Sequence, residues 1–290
     1  MDIYLTFDVE DHSFESNTPD DSVIERIEKT AMPRLLELLN KFQAKATFFT
    51  TATFAEKSPN TIKDIYLNGH EIGCHGFDHN DYYDSLSLED QIELITKSKS
   101  IIEQILNTEI VSFRAPALRI NKDTIIALEK NNFKFDSSIA SQRFDGPFTS
   151  GARTKLKWMI APRNPYKLAY RSPFKKGTSN ITEVPISALL WPFIGTHLRI
   201  APDITFFVLR LLMVESKFSN KPLVFLLHPQ ELLSFKKGKN LRDANFFSGR
   251  IRHHLKLKNL GDDCYSLFYK ILDICKKNNI NFKTIKDIQL

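Results

Sequence analysis

His75 and His79, four residues apart in "GCHGFDHND", have the chemistry of a metal-binding pair, and Asp78 and Asp81 stand close by. On a helical turn that spacing brings both imidazoles to one face, within reach of a single ion. A pair is not yet a site, because zinc takes at least a third protein ligand, and a solvated histidine pair at a helix start has the same spacing. Further candidates are the polar residues that close apolar runs. "YLTF" leads into Asp8, Glu10 and Asp11, "VSF" into Arg114, "FKF" into Asp136, and "PLVFLL" into His228. Singly, Asp8 reads as a turn or cap residue, Arg114 as a surface ion-pair partner and His228 as a satisfied core histidine. Jointly, carboxylates, three imidazoles and a guanidinium at the same end of successive strands describe a site. A Lewis-acidic ion, a base beside a cation and a separate acid are what hydrolysis of an unreactive amide requires.

The elements that must position these residues alternate between strand and helix. "IYLTFDV" (3–9) reads as a strand, "AMPRLLELLNKF" (31–42) as an amphipathic helix and "KATFFTTA" (45–52) as a second strand. A helix over 58–68 leads through Asn68-Gly69 into a short strand at 70–75. Ser87 and Asp90 open a long helix running to about 106, followed by strand 109–116, a helix capped by Asn121, and strand 133–138. Between 140 and 180 the pattern loosens into what reads as an elaborated loop region. It resumes with strand 182–187, a helix around 203–215, the apolar run 222–229, a helix over 261–277 and a last strand at 282–285. Such alternation implies an α/β fold with a parallel sheet, catalytic groups lying where strands give way to loops.

Bulk properties set the outer limits. With 290 residues, 42% of them hydrophobic, the chain suits one barrel-sized domain over 1–290. Forty basic against 34 acidic residues give a net charge of +6, concentrated late in "SFKKGKNLR" and "RIRHHLKLK". That is a basic face suited to a phosphate-bearing or membrane-surface partner. No zinc-finger spacing, RNP-like motif or helix-turn-helix pattern speaks for nucleic acid. Cys74, Cys264 and Cys275 form no CxxC pair, so neither a disulfide framework nor a thiolate metal site is expected. The N-terminus lacks the pattern of a signal peptide, from which a cytoplasmic location is expected, with contact at the inner membrane face at most. The apolar stretches 186–195 and 204–213 are too short to cross a bilayer.

In order and spacing, "TFDVED", "HEIGCHGFDH", "FRAP", "FKFDSS" and "FLLHP" resemble the five motifs of the polysaccharide deacetylase family, also called the NodB-homology or carbohydrate esterase 4 family. The likeness is close over about residues 2–140 and looser over 182–230. It implies a distorted (β/α)7-type barrel and a metal-dependent hydrolase that removes an N-acyl group, acetyl first of all, from an amino sugar. On this resemblance Asp8 is the general base, Arg114 its partner, and His75 and His79 are ligands of one divalent ion, zinc above all. His228 is the general acid, Asp136 the residue that tunes it, and the backbone N–H of Ala117 the oxyanion donor.

The sequence departs from the family pattern at three places. "DVED" offers Glu10 or Asp11 as third ligand; Glu10 shares a side with Asp8 if the strand continues, whereas Asp11 is reached if the chain leaves the strand after Val9, the reading we favour from sequence. Gly76 stands where Ser or Thr is usual, and "RAPAL" replaces Arg-Pro-Pro-Tyr. The expected substrate is an N-acylated amino sugar, nucleotide- or polyprenyl-linked, on the way to lipopolysaccharide, capsule or another surface glycan. A deformylase of a lipid-linked amino sugar, a hydrolase of another non-peptide amide and an inactive sugar-binding module are the alternatives.

Overall fold

The apolar runs of the sequence become the inner strands of a curled sheet. The computed structural model describes residues 1–13, 18–143, 153–234, 255 and 257–289. Strand β1 (Asp2–Val9) is buried along Ile3–Val9, as a strand covered on both faces must be. It pairs in parallel with β2 (Thr47–Thr50), which continues through β3 (Glu71–Cys74), β4 (Ser112–Phe113) and β5 (Phe135–Asp136). An antiparallel hairpin, β6 (Tyr166–Ala169) and β7 (Ser172–Lys176), precedes β8 (Thr182–Glu183), which lies parallel to β5. A small hairpin of β9 (Ala188–Leu189) and β10 (Trp191–Pro192) leads on to β11 (Leu223–Leu227), on the other side of β1. The last strand, β12 (Asn281–Lys283), pairs with the start of β1.

Seven strands, in the order β11-β1-β2-β3-β4-β5-β8, are thus parallel. The chain after β8 draws the ends together: Ile186 N–H donates to Ile139 O, Ser187 N–H to Val224 O at 3.1 Å, and Val224 N–H to Ser187 Oγ at 2.9 Å. That seam curls the sheet into a barrel-like shape, as the motif order implied.

The connecting segments include helices α1 (Asp21–Arg26), α2 (Met32–Lys41), α3 (Ala52–Lys57), α4 (Pro59–Leu67), α5 (Leu88–Leu106), α6 (Lys122–Lys130), α7 (Gly195–Ile200), α8 (Pro202–Ser219) and α9 (Asp262–Lys277). The start signals act as read. Ser87 Oγ accepts the Asp90 N–H at 3.2 Å, and Asn121 caps α6 through the Asp123 and Thr124 N–H groups. The 140–180 region corrects the sequence reading: besides loop it holds the β6–β7 hairpin. Its alternation is short and cut by Pro173, which masks a strand signal. All three cysteines are free and buried. Most of the two basic stretches falls outside the described residues. Among those described, no helix is long and apolar enough to cross a membrane.

Candidate active site

The polar ends of β1, β3, β4 and β11 converge. Asp8 and Glu10 are two apart and project to the same side; Asp8 is 3% and Glu10 1% exposed. Arg114, fully buried just past β4, spends its guanidinium on Asp8 Oδ1 (2.7 Å), Thr6 Oγ1 (2.9 Å), Ser137 O (2.8 Å) and Ser137 Oγ (2.8 Å), over the ring of Phe49. With Oδ1 so held, Asp8 Oδ2 faces His75 Nε2 at 3.8 Å and His228 Nε2 at 3.9 Å. Removing this guanidinium strands Asp8 and Ser137 in the core. Arg114→Met is therefore expected to cost about 3–5 kcal/mol, read as a lower urea midpoint at unchanged m.

His75 and His79 do not share a helical turn, contrary to the first reading of their spacing. The chain leaves β3 through Gly76 at φ +76°, where a Cβ would stand 3.0 Å from Pro116 Cγ and 3.1 Å from the Tyr83 hydroxyl. Asp81 then fixes the turn by accepting the Phe77 and Asp78 N–H groups at 2.8 and 3.1 Å. The loop, not a helix, brings the imidazoles to the carboxylates. His75 Nδ1–H donates to the Arg114 carbonyl at 2.7 Å, so that in the neutral imidazole the lone pair lies on Nε2, 3.6 Å from Glu10 Oε2. His79 Nδ1 is hydrogen-bonded to Glu10 Oε2 at 2.5 Å and its ring stacks on His12, centroids 4.2 Å apart. Burial opposes charge on Glu10, but the charge and hydrogen bonds of His79 and His75 outweigh it and hold the carboxyl well below its usual range.

The structure places Glu10, not Asp11, beside the imidazoles. β1 does end at Val9, but Glu10 keeps the side set by the strand and meets the imidazoles, while Asp11 Oδ2 lies 3.8 Å from Lys57 Nζ on α3. Glu10, His75 and His79 offer one carboxylate and two imidazoles, the donor kinds of a catalytic zinc site, and the tautomer of His75 is the one a ligand needs. The Glu10–His79 spacing of 2.5 Å is that of a hydrogen bond, whereas two ligands of one tetrahedral zinc stand about 3.3 Å apart. Among the described residues no group of three or more His, Cys, Asp or Glu side chains is set to hold an ion. The donors suit a divalent ion in kind, and loading requires the Glu10–His79 hydrogen bond to open.

His228 closes the site at the end of β11, its Nε2 3.8 Å from Glu10 Oε1. Its Nδ1 faces Glu231 Oε1 at 3.2 Å, and the same oxygen accepts the His228 N–H. Arg199, 1% exposed, donates from Nε to Glu231 Oε2 and from Nη1 to Lys258 O at 2.7 Å. Burial lowers the imidazole pKa, but the Glu231 hydrogen bond and the Glu10, Asp8 and Glu231 charges raise it to about 9. The sequence did not single out Glu231. The available signal was His-Pro-x-Glu at a strand end, since Pro229 starts a turn whose third residue can cap its first.

Asp136, expected to tune His228, accepts from Ser138 Oγ at 2.5 Å and pairs in register with Glu183 on β8. Burial lifts Asp136 to about 6, and burial with the Asp136 charge lifts Glu183 well above its usual range. Ala117 sits just past β4 at φ +51°, followed by Leu118 at +57°. Two successive left-handed non-glycine residues are a strained turn of the kind that recurs at functional sites.

A curled parallel sheet whose strand ends carry this cluster defines a NodB-homology type of α/β barrel. More particularly, residues 1–135 match the family model for polysaccharide deacetylase. Over 114 residues, 39% of this chain, it is 32% identical to the peptidoglycan deacetylase-like protein FGM2 of Gibberella zeae, covering 33% of that protein. The chain spans between 33% and 47% of the length of the first curated relatives it matches. The crystal structure of a probable polysaccharide deacetylase from Pseudomonas aeruginosa PAO1 superposes with a TM-score of 0.59 at 15% identity, covering 98% of this chain and 89% of that one. That of Puue allantoinase gives 0.60 at 15%, covering 98% and 88%. At such identity both likenesses speak for the fold alone.

Proposed function

We propose that the protein hydrolyses the N-acyl bond of an acylated amino sugar belonging to a surface glycan or its precursor. One observation carries the reading: Asp8 Oδ2 and His228 Nε2 face each other 3.9 Å apart, the first backed by Arg114 and the second by Glu231. Two proton-transfer groups on opposite backings can be held in opposite protonation states at one pH, as acid and base must be. The family match and the relatives described as deacetylases of peptidoglycan and chitooligosaccharide support a sugar substrate.

Glu10, His75 and His79 would hold one divalent ion, zinc by donor type, whose Lewis acidity lowers the pKa of water and polarises an acyl carbonyl. Asp8, held by Arg114 with Oδ2 outward, takes the proton from the attacking water. The Ala117 N–H, presented by its left-handed turn, is the donor assigned to the developing oxyanion. His228 delivers the Nε2 proton to the sugar nitrogen, which leaves only as an amine. Glu231, clamped by Arg199, holds the other ring nitrogen so that Nε2 points at the nitrogen rather than away.

Mass spectrometry of N-acetylated and N-formylated sugar nucleotides and polyprenyl-linked sugars after incubation tests the reading. Loss of an acetyl group supports it, loss of formyl alone makes the enzyme a deformylase, and no loss with metal-loaded protein overturns it. A Bacillus anthracis protein described as a pseudoenzyme of this family shares the fold, with a TM-score of 0.52 at 13% identity. The convergence of Asp8, Arg114 and His228 here favours an active enzyme over an inactive sugar-binding module.

Glu231 raises the His228 pKa, so Glu231→Gln should lower it and move the alkaline limb of the rate profile toward lower pH. A merely structural Glu231 would leave that limb in place while lowering the melting temperature. The pH profile of kcat, measured beside a thermal melt, separates the two.

A further inference from the structure

Helix α8 is amphipathic in an unusual sense, for both of its faces are apolar. One face buries Thr205, Val208, Leu209, Leu212 and Ser216 against the barrel. The other exposes Ile204 (49%), Phe207 (59%), Leu211 (42%), Val214 (55%) and Phe218 (85%). Their spacing of three, four, three and four residues sets them in one line along the helix. Leu190, 60% exposed in the adjoining β9–β10 hairpin, stands at the same end as Ile204, where Trp191 Nε1–H bonds Thr205 Oγ1 at 3.0 Å. Single exposed apolar residues are ordinary, whereas a continuous stripe of five marks a surface that something covers.

The charges along the stripe indicate what. Arg210 and Lys217, both exposed and seven residues apart, border it on one flank, where among the described residues of the helix the acid is Asp203 at its start. On the other flank Glu215 is turned aside by ion pairs to Arg163 and Lys221. Exposed cations, with no ion pair among the described residues, thus edge an apolar line in a chain of net charge +6.

We propose that this face of α8 lies on an anionic lipid bilayer, its aromatic and aliphatic side chains at the boundary of headgroup and acyl chain and Arg210 and Lys217 on the lipid phosphates. A second copy of the chain fits less well. Two stripes back to back would bury on the order of 1,000 Å² in total, short of the roughly 1,200–2,000 Å² of a specific stable interface. Antiparallel pairing centred on Leu211 would also bring the two Arg210 side chains together. The surface stands apart from the reaction proposed above and does not depend on it. Because α8 runs down to the start of β11, its Ile204 end lies at the end of the barrel that holds His228, which places the site near the bilayer.

Flotation of the purified chain with vesicles tests this without any assay of activity. The protein should float with phosphatidylcholine–phosphatidylglycerol vesicles and not with phosphatidylcholine alone, and salt should weaken the binding. Phe207→Ser with Phe218→Ser, both at exposed positions, should lower vesicle binding by about tenfold or more while the melting temperature stays unchanged. Arg210→Gln with Lys217→Gln should remove the preference for anionic lipid. Absence of flotation by the wild-type chain overturns the proposal, as does flotation that the phenylalanine variant leaves intact. A dimer in sedimentation that the phenylalanine variant splits, with no flotation, overturns it in favour of a second copy.

Discussion

Replacing His75 and His79 together with alanine is expected to strip the protein of divalent metal and to bring amide hydrolysis to background in the same preparation. The expectation rests on how their nitrogens are committed. His75 donates its Nδ1–H to the Arg114 carbonyl, which in the neutral imidazole leaves the Nε2 lone pair 3.6 Å from the Glu10 carboxylate. A neutral imidazole whose other nitrogen donates to a carbonyl is the form in which histidine binds a transition ion, and two imidazoles with one carboxylate make a complete protein share of a catalytic site. Glu10→Gln should reproduce the loss. Asp11→Asn should keep the metal and hold turnover within about twofold, because the Asp11 side chain is turned toward Lys57, at 3.8 Å. Elemental analysis of each purified variant, beside circular dichroism to show that it is folded, gives the readout. Full metal occupancy in the double histidine variant would sink the ligand assignment, and a metal lost in Asp11→Asn but kept in Glu10→Gln would return the third ligand to Asp11.

How the site could be read before the fold was known follows from which part of each residue's position is local. Asp8, Arg114 and His228 end apolar strands, and a parallel barrel puts those ends on one rim whatever the loops do, so strand register alone gathers them. The choice between Glu10 and Asp11 depends on a single peptide unit. Sequence located the end of β1 at Val9 correctly, yet the side-chain alternation of the strand persists one residue further, which no residue type announces. The spacing of the histidine pair suggests a helical turn that the structure does not form. Four residues look like one helical turn, whereas Gly76 at φ +76° and Asp81 beneath the Phe77 and Asp78 N–H groups build an irregular loop that does the same work. Glu231 and Arg199 escaped because their partnership spans 32 residues and a helix, and contacts of that separation leave no periodic trace. Helix α8 is legible in the sequence as the apolar run 204–213, open to two readings, a membrane-surface patch or a buried barrel helix. Only the fold shows that its second apolar stripe faces outward.

The proton-transfer assignment has consequences that metal binding does not share. Asp8→Asn preserves size and the hydrogen bond that Arg114 Nη1 donates to Oδ1, so the variant should fold, and it should load metal, since a base need not be a ligand. What it loses is the anionic Oδ2 that faces the histidines at 3.8 and 3.9 Å, and with it a reduction in turnover of roughly 10²–10⁴-fold is expected, the usual effect of removing a positioned general base. His228→Ala should also keep its metal, but its loss should depend on the leaving group. An amine leaves only after protonation, whereas an activated aryloxide leaves without it, so hydrolysis of an amide should collapse while hydrolysis of an aryl ester falls far less. Asp8→Asn should slow both alike, because either substrate needs activated water. Steady-state rates of the two variants on the two substrates, normalised to bound metal, therefore form a square with one diagnostic corner. Equal losses on amide and ester in His228→Ala would make that histidine a structural support and move the proton donor elsewhere, while a near-normal rate in metal-loaded Asp8→Asn would remove Asp8 as the base.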